Sequence, residues 1–242
     1  MLIINADDWG RNRAATDRSL HCLREGRITT ASAMVFMEDS ARAAEIARAN
    51  DLDIGLHLNL TQPFTGIGRN GLLEERQKRI AGHLLGHKYR PVFYNPALKN
   101  DFLYVYDMQV DEFSRLYGKT PSRIDGHHHM HLCANVLCAG LIPPGLRVRR
   151  NFSFFAGEKS LFNRLYRAAV DAWLRKRYLC TDYFFRLLPL SPAGRIDGIA
   201  SLARLSAVEL AVHPETPVEY DFLMGDDFAR CLEGVERGVF AG

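Results

Sequence analysis

Arg123 to His131 reads RIDGHHHMH, four imidazoles within five residues directly behind a carboxylate. Pro121 and Ser122 punctuate the start of this run, and Ile124 is the last apolar residue before the histidines, so it reads as the end of a strand. Alternation along a strand puts Asp125, His127 and His129 on one face and Gly126, His128 and Met130 on the other. One face therefore collects a carboxylate and imidazoles, and neutral imidazole is the commonest protein ligand for transition metals. A metal site needs donors converging from separate elements. Any one of these histidines can equally serve as a hydrogen-bonding group at a strand end. The deciding question is whether other strands end in donors too.

Several do. Leu2 to Ala6 is a short apolar run that stops at Asp7, Asp8, Trp9 and Gly10, as a buried parallel strand does where it enters a loop. The pair could form a turn and a helix N-cap, but the next helix is expected from about Asn12 to Glu25, stopped by Gly26. Both aspartates are then left above the strand, one on each face. In Ile54 to Leu60, His57 shares a polar face with Gly55 and Asn59, while Leu56, Leu58 and Leu60 fill the other. Val208 to His213 is the last clear strand, ended by Pro214.

Between these strands the sequence predicts a strand over Thr29–Phe36, a helix over Ser40–Ala49 with Ser40 as N-cap, and a short strand over Leu146–Val148. Residues 61–100 form an excursion rich in Gly and Pro, with a helix over Glu74–Leu85, of the kind that covers a substrate. Further helices are expected over Asp101–Tyr117, Ser160–Tyr178, Ile196–Leu205 and Phe222–Arg237. The Ser160–Tyr178 helix carries Phe162, Leu165, Tyr166, Ala169, Val170, Trp173 and Leu174 at helical spacing, with Arg164, Arg167, Arg175 and Lys176 largely off that stripe. It can pack on a sheet with a solvated outer face, or lie on a membrane and meet a lipid-linked substrate. The aromatics around it, Phe152, Phe154, Phe155 and Tyr183 to Phe185, suit a core, a homodimer contact or platforms for sugar stacking.

Strands alternating with helices argue for parallel βαβ units in a barrel or an open α/β sheet. In both, ligands gather at the carboxyl ends of the strands. One carboxylate and two imidazoles from three strands would make a facial metal site with open positions. The chain has 242 residues, 47% of them apolar, and no low-complexity linker, which predicts one domain over 1–242. A formal charge of +3 with interspersed signs gives nucleic-acid binding no electrostatic support. No signal-peptide core and no stretch of roughly 20 apolar residues is present, so a cytoplasmic location is expected, without a transmembrane segment. Five cysteines at scattered spacings, with no CxxC pair, predict reduced thiols.

NADDWG (5–10), GLHLNLT (55–61), DGHHHMH (125–131) and AVHPE (211–215) together resemble the signature blocks of the YdjC-like carbohydrate deacetylases, which include chitooligosaccharide and hopanoid-biosynthesis deacetylases. The blocks keep the family's order from Met1 to about Pro214. Trp9 stands where the family commonly has Phe, and the aromatic stretch at about 151–190 matches no block, so it reads as an insertion. The resemblance implies a distorted, incomplete (β/α) TIM-like barrel of about seven mostly parallel strands. It also implies a hydrolase that uses metal-activated water to take the acetyl group from an N-acetylated oligosaccharide or lipid-linked glycan. One divalent metal would be held by Asp8, His57 and His127; ligand type favours zinc, the family magnesium. Amide hydrolysis further needs a base and an acid, roles expected of Asp7 and His213. Asp125 would orient a histidine, and Asn59, His128 and His129 would support the site or touch substrate. The alternatives are a metal phosphoesterase or amidohydrolase-like barrel, whose HxH usually lies on the first strand, and a non-catalytic sugar-binding protein, which has no use for Asp7.

Overall fold

A computed structural model describes residues 1–240 except 67, 69, 156 and 191–193. Seven strands, β1 (Leu2–Trp9), β2 (Thr30–Ala33), β3 (Ile54–Leu58), β4 (Arg123–Gly126), β5 (Arg147–Val148), β6 (Tyr183–Arg186) and β7 (Val208–Val212), form one sheet in the order β5-β4-β3-β2-β1-β7-β6. Every pairing is parallel. The helices between them are α1 (Arg13–Arg24), α2 (Ser40–Ala49), α3 (Gly71–Leu85), α4 (Lys99–Tyr117), α5 (Ala134–Ala139), α6 (Leu161–Leu174), α7 (Arg195–Ala203), α8 (Pro217–Met224) and α9 (Asp226–Cys231). The sheet curls into an incomplete (β/α) barrel whose gap lies between β5 and β6. Isolated contacts bridge that gap's flanks: the Val148 amide donates to the Leu179 carbonyl at 2.9 Å and the Leu179 amide to that of Leu146 at 3.0 Å, while the Ser153 amide donates to the Phe184 carbonyl at 2.7 Å.

The strands are largely buried on both faces; one face is apolar, with Ile4, Ala6, Leu56, Val208 and Leu210, and the other carries Asn5, Asp7, Ser32, Asp125 and Glu209. Local signals explain most helix ends. Asn12 caps α1 by accepting from the Ala15 amide at 2.9 Å. Gly118, at φ 69°, stops α4 in the left-handed conformation that glycine adopts without strain.

Several expectations change. The N-cap position of α2 is Asp39, while the Ser40 hydroxyl accepts from the Met37 amide and donates to the Met34 carbonyl, both at 2.9 Å. β1 runs on through both aspartates to Trp9, with its register to β2 broken between Ala6 and Trp9. Asp8 sits there at φ 64°, so the pleat is interrupted and the two carboxylates line one cavity instead of opposite faces. The histidine strand stops at Gly126, and His127–Leu132 forms a 3-10 turn in which His128 and His129 are left-handed, at φ 53° and 59°. Strand alternation therefore does not extend past His127. β6, to which the sequence pattern assigns no strand range, lies in the aromatic stretch and buries Phe184 and Phe185 in the core. The expected helix over Phe222–Arg237 is instead α8, started by Pro217, and α9, with Gly225 between them. α6 turns a largely polar side inward and its aromatic side outward, the reverse of a helix packed on a sheet.

Candidate metal centre and active site

β1 carries Asp8, β3 carries His57, and His127 follows directly on β4. His57 Nε2 lies 3.4 Å from Asp8 Oδ1, and His127 Nδ1 lies 3.0 Å from the same oxygen. One donor atom from each residue falls within 4.8 Å of the others, and all three side chains are buried. The β3–β4 register sets His57 beside Asp125, whose Oδ1 accepts from His57 Nδ1 at 2.7 Å. That bond fixes the tautomer and leaves Nε2 directed at Asp8. One carboxylate and two imidazoles, one of them oriented by a second carboxylate, suit a divalent transition metal.

Asp7, His57 and Asp125 come equally close together. A cation already stands between those two carboxylates, because Arg149 Nη2 lies 2.7 Å from each. The Asp8, His57 and His127 set is the one left for an ion.

The charges follow from the packing. Burial pushes the Asp8 carboxyl up, but the His127 and His57 imidazoles outweigh it and hold it well below the usual range. Burial works against a charged His57, yet Asp125 and Asp7 raise it to about 10, so a cation bound at Nε2 would have to displace a proton. Burial lowers His128 and His129, and it brings His131 down to about 4.

The other expected residues sort themselves by contact. Asp7 lines the cavity, with its two oxygens held in the fork of Arg149 at 2.8 and 2.7 Å and Asn5 donating to Oδ1 at 2.8 Å. His213 ends up 3.9 Å from Asp7 through Nε2, and its amide donates to Glu219 Oε2 at 2.6 Å. Burial opposes its protonation, but Glu219 and Asp7 raise its pKa above the ordinary value. His128 and His129 line the same cavity of about 520 Å³; His128 Nδ1 meets the Thr61 hydroxyl at 3.0 Å, and His129 packs edge-on against Phe152. Asn59 faces away from it, its Oδ1 accepting from the Thr61 and Gln62 amides and its Nδ2 donating to the Gln62 carbonyl.

Sequence reasoning passed over three residues. Arg149, just past β5, donates to Asp7, Asp125 and Glu209 (2.6 Å) in the barrel interior. It stood at a strand exit like the other candidates, and applying the same rule to cations would have found it. Glu219 sits in the first turn of α8 behind His213. Arg11 donates to Asp8 Oδ2 at 2.8 Å and pairs with Glu215. Neither showed a signal beyond lying close to a motif.

A chitooligosaccharide deacetylase of Proteus mirabilis (strain HI4320) is 31% identical over 139 residues, 54% of this chain and 50% of that protein. A carbohydrate deacetylase of Danio rerio is 28% identical over 138 residues, 56% of this chain and 43% of the relative. The chain thus spans about half the length of the curated relatives it matches. A candidate cellobiose-phosphate cleavage protein of Enterococcus faecalis V583 shares the fold, with a TM-score of 0.66 at 18% identity over 96% of this chain and 93% of the other. The model of the family described as YdjC-like protein matches residues 1–234, nearly the full length, and the chain belongs to that family.

Proposed function

We propose that the protein is a metal-dependent hydrolase that removes the acetyl group from an N-acetylated sugar, either an oligosaccharide or a lipid-linked glycan. The observation that carries this reading is the convergence of Asp8, His57 and His127 on one cavity that Asp7 and His213 also line. The relatives named as deacetylases support the reaction class. Asp8 Oδ1, His57 Nε2 and His127 Nδ1 would hold the ion. When bound, it supplies Lewis-acid polarisation of the acetyl oxygen and makes water a nucleophile near neutral pH.

The chain's own groups do the rest. Asp7, fixed by Arg149 and Asn5, takes a proton from the attacking water. His213, whose pKa Glu219 and Asp7 raise above the ordinary value, gives a proton to the departing amine. Asp125 holds His57 in its tautomer. Phe152 and His129 form an apolar wall against which a sugar ring can stack.

Acetate release from N-acetylglucosamine oligomers and lipid-linked N-acetyl sugars tests the proposal, using metal-stripped protein resupplied with zinc or magnesium. Release should need the metal and fall by about 10²–10⁴ in Asp7→Asn. Full activity in Asp7→Asn removes it as the base. No release from any N-acetyl sugar with either metal refutes the function.

A further inference from the structure

α6 is amphipathic the wrong way round for a helix that merely covers a barrel. Its inward side carries Asn163, Arg167 and Asp171, satisfied by polar contacts: Asp171 accepts from Arg150 Nη2 at 2.6 Å and from the Asn151 amide at 3.0 Å, and Arg167 Nε donates to Asn163 at 2.9 Å. Only Asp171 and Leu174 of the whole helix are buried. The opposite side presents Leu161 (70% exposed), Phe162 (82%), Leu165 (60%), Tyr166 (46%) and Trp173 (37%). Among the described residues nothing covers this face, and contiguous exposed apolar surface of this kind marks an interaction site.

Charge decides what covers it. Lys159, Arg164, Arg175, Lys176 and Arg177 are exposed in or beside α6, whereas its one acid, Asp171, is buried against Arg150. A second copy docking through a two-fold axis would set this basic rim against itself. An anionic lipid surface complements both parts, with headgroups meeting the Lys and Arg side chains and the acyl boundary taking the aromatic and leucine side chains. At 14 residues the helix is about 21 Å long, enough to lie in an interface. No helix of the described chain is long and apolar enough to cross a membrane.

We propose that α6 seats the protein on an anionic bilayer surface through Leu161, Phe162, Leu165, Tyr166 and Trp173. The groove along the flank of the helix that Leu161 and Leu165 line also holds Phe152, which it shares with the active-site cavity, so the docked face adjoins the route to the site. The proposal stands on this surface alone and does not depend on the deacetylase reading.

The chain has two tryptophans, and Trp9 is fully buried, so emission changes on docking report Trp173. Vesicles of phosphatidylcholine with about a third phosphatidylglycerol should blue-shift that emission and sediment the protein at least about 10-fold better than phosphatidylcholine alone. High salt should weaken the effect. Phe162→Glu with Leu165→Glu should abolish binding with unchanged circular dichroism, and Arg164→Glu with Lys176→Glu should remove the preference for anionic lipid. Equal or no binding to both vesicle types overturns the proposal. So does a dimer in sedimentation velocity that Phe162→Glu with Leu165→Glu dissolves, because the face would then belong to a second copy.

Discussion

His213 shows how a single residue acquires a role from its neighbours. An imidazole alone titrates near neutrality, and its position before Pro214 says only that it ends a strand. Glu219 and Asp7 raise its pKa, so more of it is protonated at neutral pH than of an ordinary histidine. As pH rises through that elevated value the proton is lost, and with it the acid for the leaving amine, so kcat should fall on the alkaline side. Glu219→Gln removes the nearer carboxylate and should move that alkaline limb to lower pH, with little change in kcat on its acidic side. The pH profile of kcat for the two proteins checks this; superimposable profiles would take the proton-donor role away from His213.

At the scale of elements, the turn after β4 shows what pattern reading captures and where it stops. Runs ending in donors located β1, β3, β4 and β7, because the alternation of side-chain faces along a strand is written directly into the residues. Backbone departures from that period were not legible. Asp8, His128 and His129 all sit at positive φ without being glycine; Asp and His enter that region more readily than most residues, but so seldom that the residue type does not mark which positions do. β6 was hidden because Tyr-Phe-Phe reads alike as core, platform or contact surface. Gly126 shows the demands of the turn: a Cβ there would stand 2.9 Å from His131 Cβ and Nδ1. His131 is buried and anchored by its Nε2, which donates to the Arg149 carbonyl at 2.9 Å, so it has little freedom to yield. Gly126→Ala should cost about 1–3 kcal/mol of stability and displace His127, weakening metal binding. Urea unfolding and metal titration of this variant measure the two effects.

At the scale of the whole molecule, the incomplete barrel is held from inside by Arg149. Its guanidinium reaches carboxylates from the paired strands β1 and β7 and from β4, which the curl of the sheet brings across from three strands away. Burial pushes Glu209 up to about 7 even with Arg149 beside it, a sign of how costly carboxylates are in that interior. Arg149→Met leaves three buried acids without their cation and should destabilise the fold by about 3–5 kcal/mol, in addition to freeing Asp7. Unfolding midpoints at pH 7 compare the two proteins, and a shift below about 1 kcal/mol would mean that water already solvates this interior. The same curl brings Asp8, His57 and His127 together across three strands, and every chemical role above depends on that meeting. Anomalous diffraction at the zinc edge from a zinc-soaked crystal tests it most directly. The expected result is one peak about 2.0–2.2 Å from an Asp8 carboxylate oxygen, His57 Nε2 and His127 Nδ1; a peak between Asp7 and Asp125, or none in the cavity, would contradict it.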